Sequence, residues 1–304
     1  MEQIKALYEK LKHVCPGLEL LEGEPMARHT TFRVGGPVAL MALPKRDSEA
    51  AAVVRTAREL GITPFFLGNG SNLLVADEGY DGLVVKLAGE FNELREVDRQ
   101  LESGAGVLLS RLANAALGRG LTGLEFAGGI PGSVGGAVTM NAGAYGGEMS
   151  QVITSVRVMD LTGNITELTN EACNFSYRRS VFEDGTRLIL SARFALAQGD
   201  PEEIRTKMDD LAERRREKQP LEFPSAGSTF KRPPGHFAAA LIDRCGLKGL
   251  TVGGAQVSEK HAGFVINKGG AACADILALM KEVQRRVYEQ TGVQLEPEVK
   301  LLGE

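Results

Sequence analysis

The chain has 304 residues, of which 43% are hydrophobic and 24% charged, and its formal net charge is −4. This length favours two or three domains over one compact core, and the weak negative charge gives no reason to expect a nucleic-acid partner. The four cysteines and four histidines are scattered, with no CxxC pair and no HxxxH spacing. Because no apolar run reaches membrane length either, we expect a cytoplasmic protein without a disulfide framework, a metal site or a membrane span.

The first part of the chain predicts alternating helices and strands. Ile4, Leu7 and Leu11 have helical spacing. Strands are expected in TFRVGG and VALMALP, followed by an Ala- and Val-rich helix that Ser48 caps and Gly61 ends. ITPFFLG and GLVVKL predict short buried strands on either side of the segment GNGSNLLV. This order indicates an α/β lobe.

The rest of the chain predicts strands first and helices later. A helix is expected over 108–120, and the strands VITSVRVMD, ITEL and RLILSARFAL come after a glycine-rich stretch. Pro201 opens a helix with Ile204 and Met208 on one face. FAAALIDRCG predicts a short helix, TVGGAQVSEKHAGFVIN two strands around a turn, and ADILALMKEVQRRVYEQTG a long helix that Gly292 ends. A strand in VQLEPEVKLLG closes the chain.

Two glycine-rich loops, LGNGSNLLV at 67–75 and GGIPGSVGG at 128–136, require an explanation. Glycines this dense make a poor helix or strand interior. They do let main-chain N–H groups approach an anion closely, and Asn69, Ser71, Asn72 and Ser133 are candidate side-chain donors. Glycines that merely serve tight turns are the competing interpretation, and composition alone does not separate the two.

The familiar nucleotide-binding motifs do not fit these loops. GNGSNL has Leu73 where a dinucleotide fingerprint needs a third glycine, and the strand GLVVKL follows too soon for a βαβ unit. No loop ends in the GK[ST] of a phosphate-binding P-loop. The loops therefore predict neither a Rossmann site nor a P-loop site.

A set of motifs occurs in a fixed order: GNGSN, FAGGIPGSVGGAVTMNAGAYGGE, YRRSVF, SAGSTFKRP, GLKGLTVGGAQVSEKHAGFVIN and LEPEV. This ordered set resembles the UDP-N-acetylenolpyruvoylglucosamine reductase (MurB) family, and the likeness covers essentially the full length. The resemblance implies an α+β protein with a two-lobed FAD-binding fold of the vanillyl-alcohol oxidase type and a C-terminal α/β substrate-binding domain. We assign the lobes to 1–80 and 81–200 and the third domain to 201–292, with the strand at 293–304 returning to the first lobe.

The resemblance implies two cofactors, FAD bound by the glycine stretch and NADPH as hydride donor. Neither histidine nor cysteine occurs in 67–75 or 125–149, so we expect FAD to be held without a covalent bond. The residues expected to contact FAD belong to the two glycine loops and to the segment after the second loop. They are Gly68, Asn69, Gly70, Ser71, Asn72, Gly128, Gly129, Ile130, Pro131, Gly132, Ser133, Gly136, Asn141, Ala142, Gly143 and Gly146.

The reaction implied by the resemblance is reduction of the enolpyruvyl ether of UDP-N-acetylglucosamine to the lactyl ether of UDP-N-acetylmuramate, a peptidoglycan precursor. The flavin passes a hydride from NADPH to the vinyl carbon, negative charge spreads into the neighbouring carboxylate, and a proton must then reach the adjacent carbon. By the resemblance, Arg178 in YRRS grips the carboxylate, Ser228 in AGSTF donates the proton, and Glu298 in LEPEV holds the enolate.

Each of these residues also has an ordinary structural interpretation. Arg178 and the adjacent Arg179 suit surface salt bridges, and Ser228 suits a turn serine after glycine. Glu296 is expected to face outward from a strand. Because positions 296 and 298 share a strand face in ideal geometry, the assignment to Glu298 rests on the motif.

The substrate diphosphate requires cations, and we assign Lys231, Arg232 and Lys248 to it, with Tyr177 beside the same site. Longer members of the family have an asparagine where Arg232 stands and an insertion with a clamping tyrosine after the YRxS motif. Here Ser180 leads through VFEDGTRL directly into a strand. The chain therefore resembles the short form of the family, and the way it holds the uridine end stays open.

The expected partner is a UDP-sugar, with no nucleic acid and no membrane, and a monomer is favoured. NADPH and the sugar nucleotide are expected to occupy one pocket in turn, which predicts parallel double-reciprocal plots. Two other classes of protein stay open at this point. A sugar or alcohol oxidase of the same fold would consume oxygen with simple sugars, and a nucleotide-binding scaffold without catalysis would be colourless when purified.

Overall fold

The structure, a computed structural model, describes residues 2–97 and 100–303. Helices and strands alternate along much of the chain, and the predicted helices are present with boundaries shifted by a few residues. The helices are α1 Glu2–Val14, α2 Asp47–Glu59, α3 Leu109–Leu117, α4 Val134–Thr139, α5 Pro201–Lys218, α6 Ala238–Arg244 and α7 Cys273–Thr291. Within the described ranges, none of them combines the length and apolar character needed to cross a membrane.

The strands are short. They are β1 Glu19–Pro25, β2 Pro37–Leu43, β3 Phe65–Leu67, β4 Leu73–Val75, β5 Tyr80–Lys86, β6 Leu94–Val97, β7 Gln100–Gly104, β8 Leu121–Thr122, β9 Gly143–Ala144, β10 Gly147–Glu148, β11 Ile153–Asp160, β12 Ile165–Thr169, β13 Arg187–Phe194, β14 Ala197–Gln198, β15 Thr251–Val252, β16 Ala255–Val257, β17 Val265–Asn267 and β18 Lys300–Leu302.

The chain divides into two compact units, each built from separate stretches of sequence. Unit 1 comprises Met1–Glu22, Ala39–Asn69 and Gly82–Glu213, and unit 2 comprises Gly23–Val38, Gly70–Asp81 and Arg214–Glu304. The two cofactor lobes and third domain expected from the family resemblance stay a prediction. Each unit is described by itself below.

Unit 1 contains the larger sheet, with the strand order β12-β11-β13-β7-β6 and antiparallel pairing throughout. Leu112 of α3, Val138 of α4 and Phe194 of β13 are buried in one apolar cluster against this sheet. A second cluster unites Leu7 and Leu11 of α1 with residues of α2, β2 and β5. The apolar spacing of α1 thus buries one helix face, and the glycine-rich stretch after α3 is anchored to the main core.

Unit 2 has a core formed by α6, α7 and the antiparallel sheet β15-β16-β17. Ile276, Leu279 and Val283 give α7 its buried face, and Gly292, with φ 71°, ends the helix in the left-handed conformation. The last strand, β18, pairs in parallel with β4. Asp77, just after β4, accepts hydrogen bonds from two main-chain N–H groups in the first turn of α7, which fastens the helix to this strand pair.

Several predicted local structures are wrong. Residues 31–36, predicted as a strand, form a turn, because the hydroxyl of Thr30 hydrogen-bonds the main chain of Val34 at both N–H and C=O. Ser48 does not cap α2, which begins one residue earlier with Arg46 at the cap position. TVGGAQVSEKHAGFVIN contains three strands rather than two, and only 300–302 of the expected C-terminal strand is a strand.

Candidate active site

Gly68 and Asn69, at the start of the first predicted glycine loop, contact the second glycine loop inside unit 1. A Cβ atom at Gly68 would lie 2.6 Å from the hydroxyl oxygen of Ser133. The Nδ2 group of Asn69 donates a 2.6 Å hydrogen bond to the carbonyl oxygen of Pro131. A side chain at position 68 would thus require Ser133 to move, and Gly68 and Asn69 lie directly against the second loop.

The second loop continues into α4, a short helix that contains Gly135 and Gly136. The expectation that this stretch would avoid helix is therefore wrong. The Ser133 hydroxyl accepts from the N–H of Gly136, and the N–H groups of Val134 and Gly135 donate to carbonyl oxygens of Val107 and residue 105. Partners from another segment thus satisfy the N–H groups at the helix start, which compensates for the poor helix propensity of glycine.

Asn141 fixes the main chain that follows α4. It is 1% exposed and has a positive φ of 42°. Its Nδ2 group donates to the carbonyl oxygen of Ser176 at 3.2 Å, and its Oδ1 atom accepts from the N–H of Ser150 at 2.9 Å. The side chain ties three segments together and so positions Ala142 and Gly143, which are also expected to contact FAD.

Arg178 lies in a tight turn between Ser176 and Arg179, whose main chains exchange two hydrogen bonds. Its φ is 58°, which is uncommon for a residue with a side chain and costs about 1 kcal/mol or more. The guanidinium donates a 3.2 Å hydrogen bond to the carbonyl oxygen of Gly143 and lies over the ring of Tyr177 at 5.2 Å. The turn thus brings Arg178 to the glycine-rich segment of unit 1.

Arg179 behaves differently from its neighbour. Its side chain is 74% exposed and forms an ion pair of 3.5 Å with Glu183. This is the surface salt bridge that the sequence suggested for it, and such a pair contributes little to stability.

Ser228 and Glu298 lie on neighbouring segments of unit 2. The N–H of Glu298 donates to the carbonyl oxygen of Thr229 at 2.8 Å, and the N–H of Lys231 donates to that of Glu296 at 2.9 Å. Residues 229–231 and 296–298 therefore run antiparallel as a two-stranded arm. The structure brings the predicted proton donor close to the predicted glutamate, whereas Arg178 belongs to unit 1.

Thr229 holds this arm in unit 2 and is absent from the residues that sequence reasoning selected. It is 1% exposed, and its hydroxyl accepts a 3.0 Å hydrogen bond from the N–H of Val265. Its own N–H donates to the carbonyl oxygen of Gly263 at 2.8 Å. The residue that follows Ser228 is thus held through both its main chain and its side chain, and no sequence signal beyond its position next to Ser228 pointed to Thr229.

Asn72 links the first glycine loop to Glu298 within unit 2. Its Nδ2 group donates to the Glu298 carbonyl oxygen at 3.0 Å, and its own carbonyl oxygen accepts from the N–H of Lys300 at 3.1 Å. Asn72 was expected to contact FAD, which stays a prediction. The contacts observed give it a second task, the positioning of the Glu298 main chain.

His261 supports the same region of unit 2. Burial lowers its pKa, the charge of Lys248 acts in the same direction, and its Nδ1 atom accepts from the N–H of Gly263 at 3.1 Å. The imidazole is therefore neutral near pH 7 and stabilises the turn whose carbonyl oxygen binds Thr229.

The residues expected to bind the substrate diphosphate have protein partners. Lys231 pairs with Glu296, which is exposed as expected, and Lys248 pairs with Asp243 at 2.9 Å. The guanidinium of Arg232 lies over the ring of Phe237 at 4.3 Å. Tyr177 is 53% exposed. Their roles toward substrate stay predictions.

Residues 38–169 match the FAD binding domain family, and residues 219–302 match the family described as UDP-N-acetylenolpyruvoylglucosamine reductase, C-terminal domain. The UDP-N-acetylenolpyruvoylglucosamine reductases of Caldanaerobacter subterraneus subsp. tengcongensis and of Clostridioides difficile are each 48% identical to this chain over 298 residues, which is 98% of this chain and 98% of each relative. The chain belongs to the UDP-N-acetylenolpyruvoylglucosamine reductase family.

A solved member of this reductase family has a similar structure. It is the UDP-N-acetylenolpyruvylglucosamine reductase (MurB) from Thermus caldophilus, with a TM-score of 0.81 and 38% identity, over 94% of this chain and 98% of that chain. The predicted fold class is confirmed: an FAD-binding fold is followed by the C-terminal domain of the MurB family. The chain is accordingly an FAD-containing oxidoreductase.

The residues of the glycine loops fit FAD. Among the residues that the structure describes, the main-chain N–H groups of Asn69, Gly70 and Ser71 donate to no protein acceptor. Gly70 has a φ of 61° and no room for a side chain. Consecutive unpaired N–H groups around a left-handed glycine form an anion-binding nest, which suits a pyrophosphate. The match to the FAD binding domain includes this loop and the second glycine loop.

Proposed function

We propose that this chain catalyses the NADPH-dependent reduction of UDP-N-acetyl-enolpyruvoylglucosamine to UDP-N-acetylmuramate. The single observation that carries the proposal is the hydrogen bond from the Glu298 N–H to the Thr229 carbonyl oxygen. It joins the segment of Ser228, the proposed proton donor, to that of Glu298, the proposed enolate-binding acid, inside the region that matches the MurB C-terminal domain. Bound FAD would supply the hydride transfer from NADPH to the vinyl carbon of the substrate.

Arg178 would bind the carboxylate of the enolpyruvyl group. A guanidinium offers two parallel N–H donors to a carboxylate and keeps its charge at every working pH. Its hydrogen bond to Gly143 and its position over the Tyr177 ring reduce the number of conformations open to the side chain. Less conformational freedom is then lost when the carboxylate binds.

Ser228 would deliver the proton to the carbon next to the carboxylate. A serine hydroxyl is a weak acid, so this role requires a strongly basic carbon and a donor held in line with it. The main chain of the next residue, Thr229, is bonded on both sides, which limits the movement of Ser228. Ser228 is exposed, so a substrate has access to its side chain.

Glu298 would hydrogen-bond the enolate in its protonated form. Its side chain is half-buried, and its main chain is held by Thr229 and by Asn72. A donor fixed in advance at the position where charge develops stabilises the transition state without further reorganisation. FAD would be held without a covalent bond, because 67–75 and 125–149 contain neither histidine nor cysteine.

The Ser228→Ala variant tests the proposal. Formation of UDP-N-acetylmuramate should fall by at least ~10²-fold, the usual contribution of a positioned proton donor. Reduction of the flavin by NADPH, followed as loss of yellow colour in a stopped-flow experiment without sugar nucleotide, should keep its rate. Ser225→Ala, in the same segment, serves as the matched control and should retain product formation. Equal slowing of both half-reactions in Ser228→Ala would show that the serine has another task.

A further inference from the structure

The segment 232–237, RPPGHF, forms a largely exposed loop in unit 2. The N–H of His236 donates to the carbonyl oxygen of Pro233 at 3.0 Å and closes a turn, and Gly235 has a φ of 72°. Two consecutive prolines restrict φ at the start of this turn, and glycine provides the left-handed position that follows. The prolines, the glycine and the turn hydrogen bond therefore restrict the backbone conformations open to this loop.

Arg232 and Phe237 flank this turn and lie against each other. The guanidinium carbon is 4.3 Å from the centre of the phenyl ring, and Phe237 is 61% exposed. In the described part of the chain, Arg232 forms no ion pair with a carboxylate, unlike Lys231 and Lys248. An exposed phenyl ring with a cation on one face has its remaining surface open to another planar group.

This pair has the chemistry of a nucleobase and phosphate site. Aromatic rings bind nucleobases by stacking, which favours any base because every base has a flat π-face. An arginine that uses the face of its guanidinium for stacking keeps the N–H edge for phosphate oxygens. Because the turn holds both side chains in advance, little conformational entropy is lost when a ligand binds.

The distance along the chain from Ser228 also suits a sugar nucleotide. Residues 229–231 are extended and paired with 296–298, and extended chain advances about 3.3 Å per residue, so Arg232 is on the order of 13 Å from Ser228. In the substrate, the sugar, the diphosphate and the ribose separate the enolpyruvyl group from the uracil. The uracil must therefore bind well away from the proton donor, and Arg232 and Phe237 lie at a suitable distance along the chain.

We propose that Phe237 stacks on the uracil of the substrate while Arg232 binds the adjacent diphosphate, and that this clamp holds the uridine end. The inference rests on the proposed function, since it takes the substrate to be a UDP-sugar. It names Phe237 as a residue that sets affinity for the nucleotide and makes the turn 233–236 its support.

Binding of two probes to the holoenzyme tests the clamp. Phe237→Ala should weaken UDP binding by about tenfold or more, as expected for a lost stacking partner. Inorganic pyrophosphate, which has no base, should bind that variant as it binds the wild type. Leu221→Ala removes another apolar side chain of unit 2 that is 53% exposed, and it should leave both affinities unchanged. Unchanged UDP affinity in Phe237→Ala, or equal losses in both variants, would overturn the proposal.

A tryptophan at position 237 gives a second readout. The chain contains no tryptophan, so Phe237→Trp introduces one emitting side chain. We expect this variant to bind UDP more tightly than Phe237→Ala does. We also expect the tryptophan emission to change as UDP is added and to reach a plateau at saturation. UDP binding without a change in emission would show that the base lies elsewhere.

The binding measurements and the turnover measurement test different proposals, so one proposal can be contradicted while the other is supported. A wild-type holoenzyme that does not reduce the enolpyruvyl sugar nucleotide would contradict the proposed function. UDP affinity and its dependence on Phe237 would still decide whether the clamp exists.

Discussion

The glycine-rich segment of unit 1 and the turns on either side of residues 229–231 in unit 2 use glycine for opposite reasons. A Cβ atom at Gly143 would lie 2.6 Å from the carbonyl oxygen of Gly147, so glycine provides space there. Gly227 and Gly235 have φ values of 76° and 72° with no atom within 4 Å of an added Cβ, so glycine provides a left-handed turn there. In unit 1 the glycine allows main-chain segments to pack closely together. In unit 2 the glycines form turns that orient the neighbouring side chains.

The two regions should therefore fail in different ways. In unit 1, an added methyl group forces backbone apart and disturbs the surface expected to hold FAD. In unit 2, removal of one polar atom leaves the fold largely intact but loosens Ser228 and Glu298. The variants below test this difference in order of decreasing expected effect.

Gly143→Ala should have the largest effect. The added Cβ would meet the Gly147 carbonyl oxygen and the Glu148 side chain, and such overpacking costs about 2–3 kcal/mol of unfolding free energy. Because the Gly143 carbonyl oxygen also accepts from Arg178, both flavin content and turnover should fall. Urea unfolding and the flavin-to-protein absorbance ratio measure the two effects.

Gly17→Ala is the matched control for that variant. An added Cβ at Gly17 has no atom within 4 Å, and its φ is not in the left-handed region. Stability should stay the same or rise slightly, because alanine restricts the unfolded chain. Full flavin content and wild-type stability in Gly143→Ala would contradict the close packing in unit 1.

Thr229→Val should have an intermediate effect in unit 2. The side chains are similar in shape, but the change leaves the buried N–H of Val265 without its acceptor, at a cost of about 1–2 kcal/mol. Product formation should slow, because the arm that carries Ser228 is loosened, while flavin content stays that of the wild type. Thr229→Ser keeps the hydroxyl and should restore the rate. Flavin loss as large as in Gly143→Ala would remove the contrast between the units.

Glu125→Gln should have the smallest effect, and it should depend on pH. Burial would raise the pKa of Glu125, but hydrogen bonds from Thr122 and Gly123 and the charge of Lys207 outweigh it, and the pKa lies below its usual value of 4.5. A lowered folded-state pKa stabilises the protein above the unfolded value, and this contribution disappears as the pH falls through the folded value.

The free energy of unfolding of the variant should accordingly be about 1 kcal/mol lower than that of the wild type near pH 7. The difference in unfolding free energy between the two proteins should shrink below about pH 4.5. Urea unfolding at a series of pH values measures it. Glu217→Gln, at an exposed position, is the control and should be neutral throughout. If the stability difference between Glu125→Gln and the wild type grew as the pH fell, the inferred lowering of the Glu125 pKa in the folded protein would be wrong.

Regular helices were predictable because their signals are local. The buried residues of α7 recur at helical spacing, and Gly292 marks its end in both sequence and structure. α4 gave no such signal, since it contains two adjacent glycines and its first N–H groups depend on carbonyl oxygens of 105 and 107. The turn at 31–36 was mistaken for a strand, because a hydroxyl bonding to nearby main chain overrides the apolar pattern.

The candidate site was only partly predictable for a related reason. Motifs selected Ser228 and Glu298, and the structure of unit 2 brings their segments together. Thr229 and Phe237 were not predicted from the sequence, because their importance depends on partners elsewhere in the fold. Thr229 accepts a hydrogen bond from Val265, and Phe237 contacts Arg232 across a closed turn. The roles of Arg178, Ser228 and Glu298 stay predictions until the half-reactions are measured.

The sequence by itself determined the family, the helices with periodic apolar faces and the chemical groups available for reaction. Spacing and motif order carry that information along the chain. Tertiary structure alone decided which main-chain donors stay unpaired at 69–71 and which segments hold Ser228 and Glu298. Hydrogen bonds between distant segments form only when the core aligns both partners, so no local pattern encodes them.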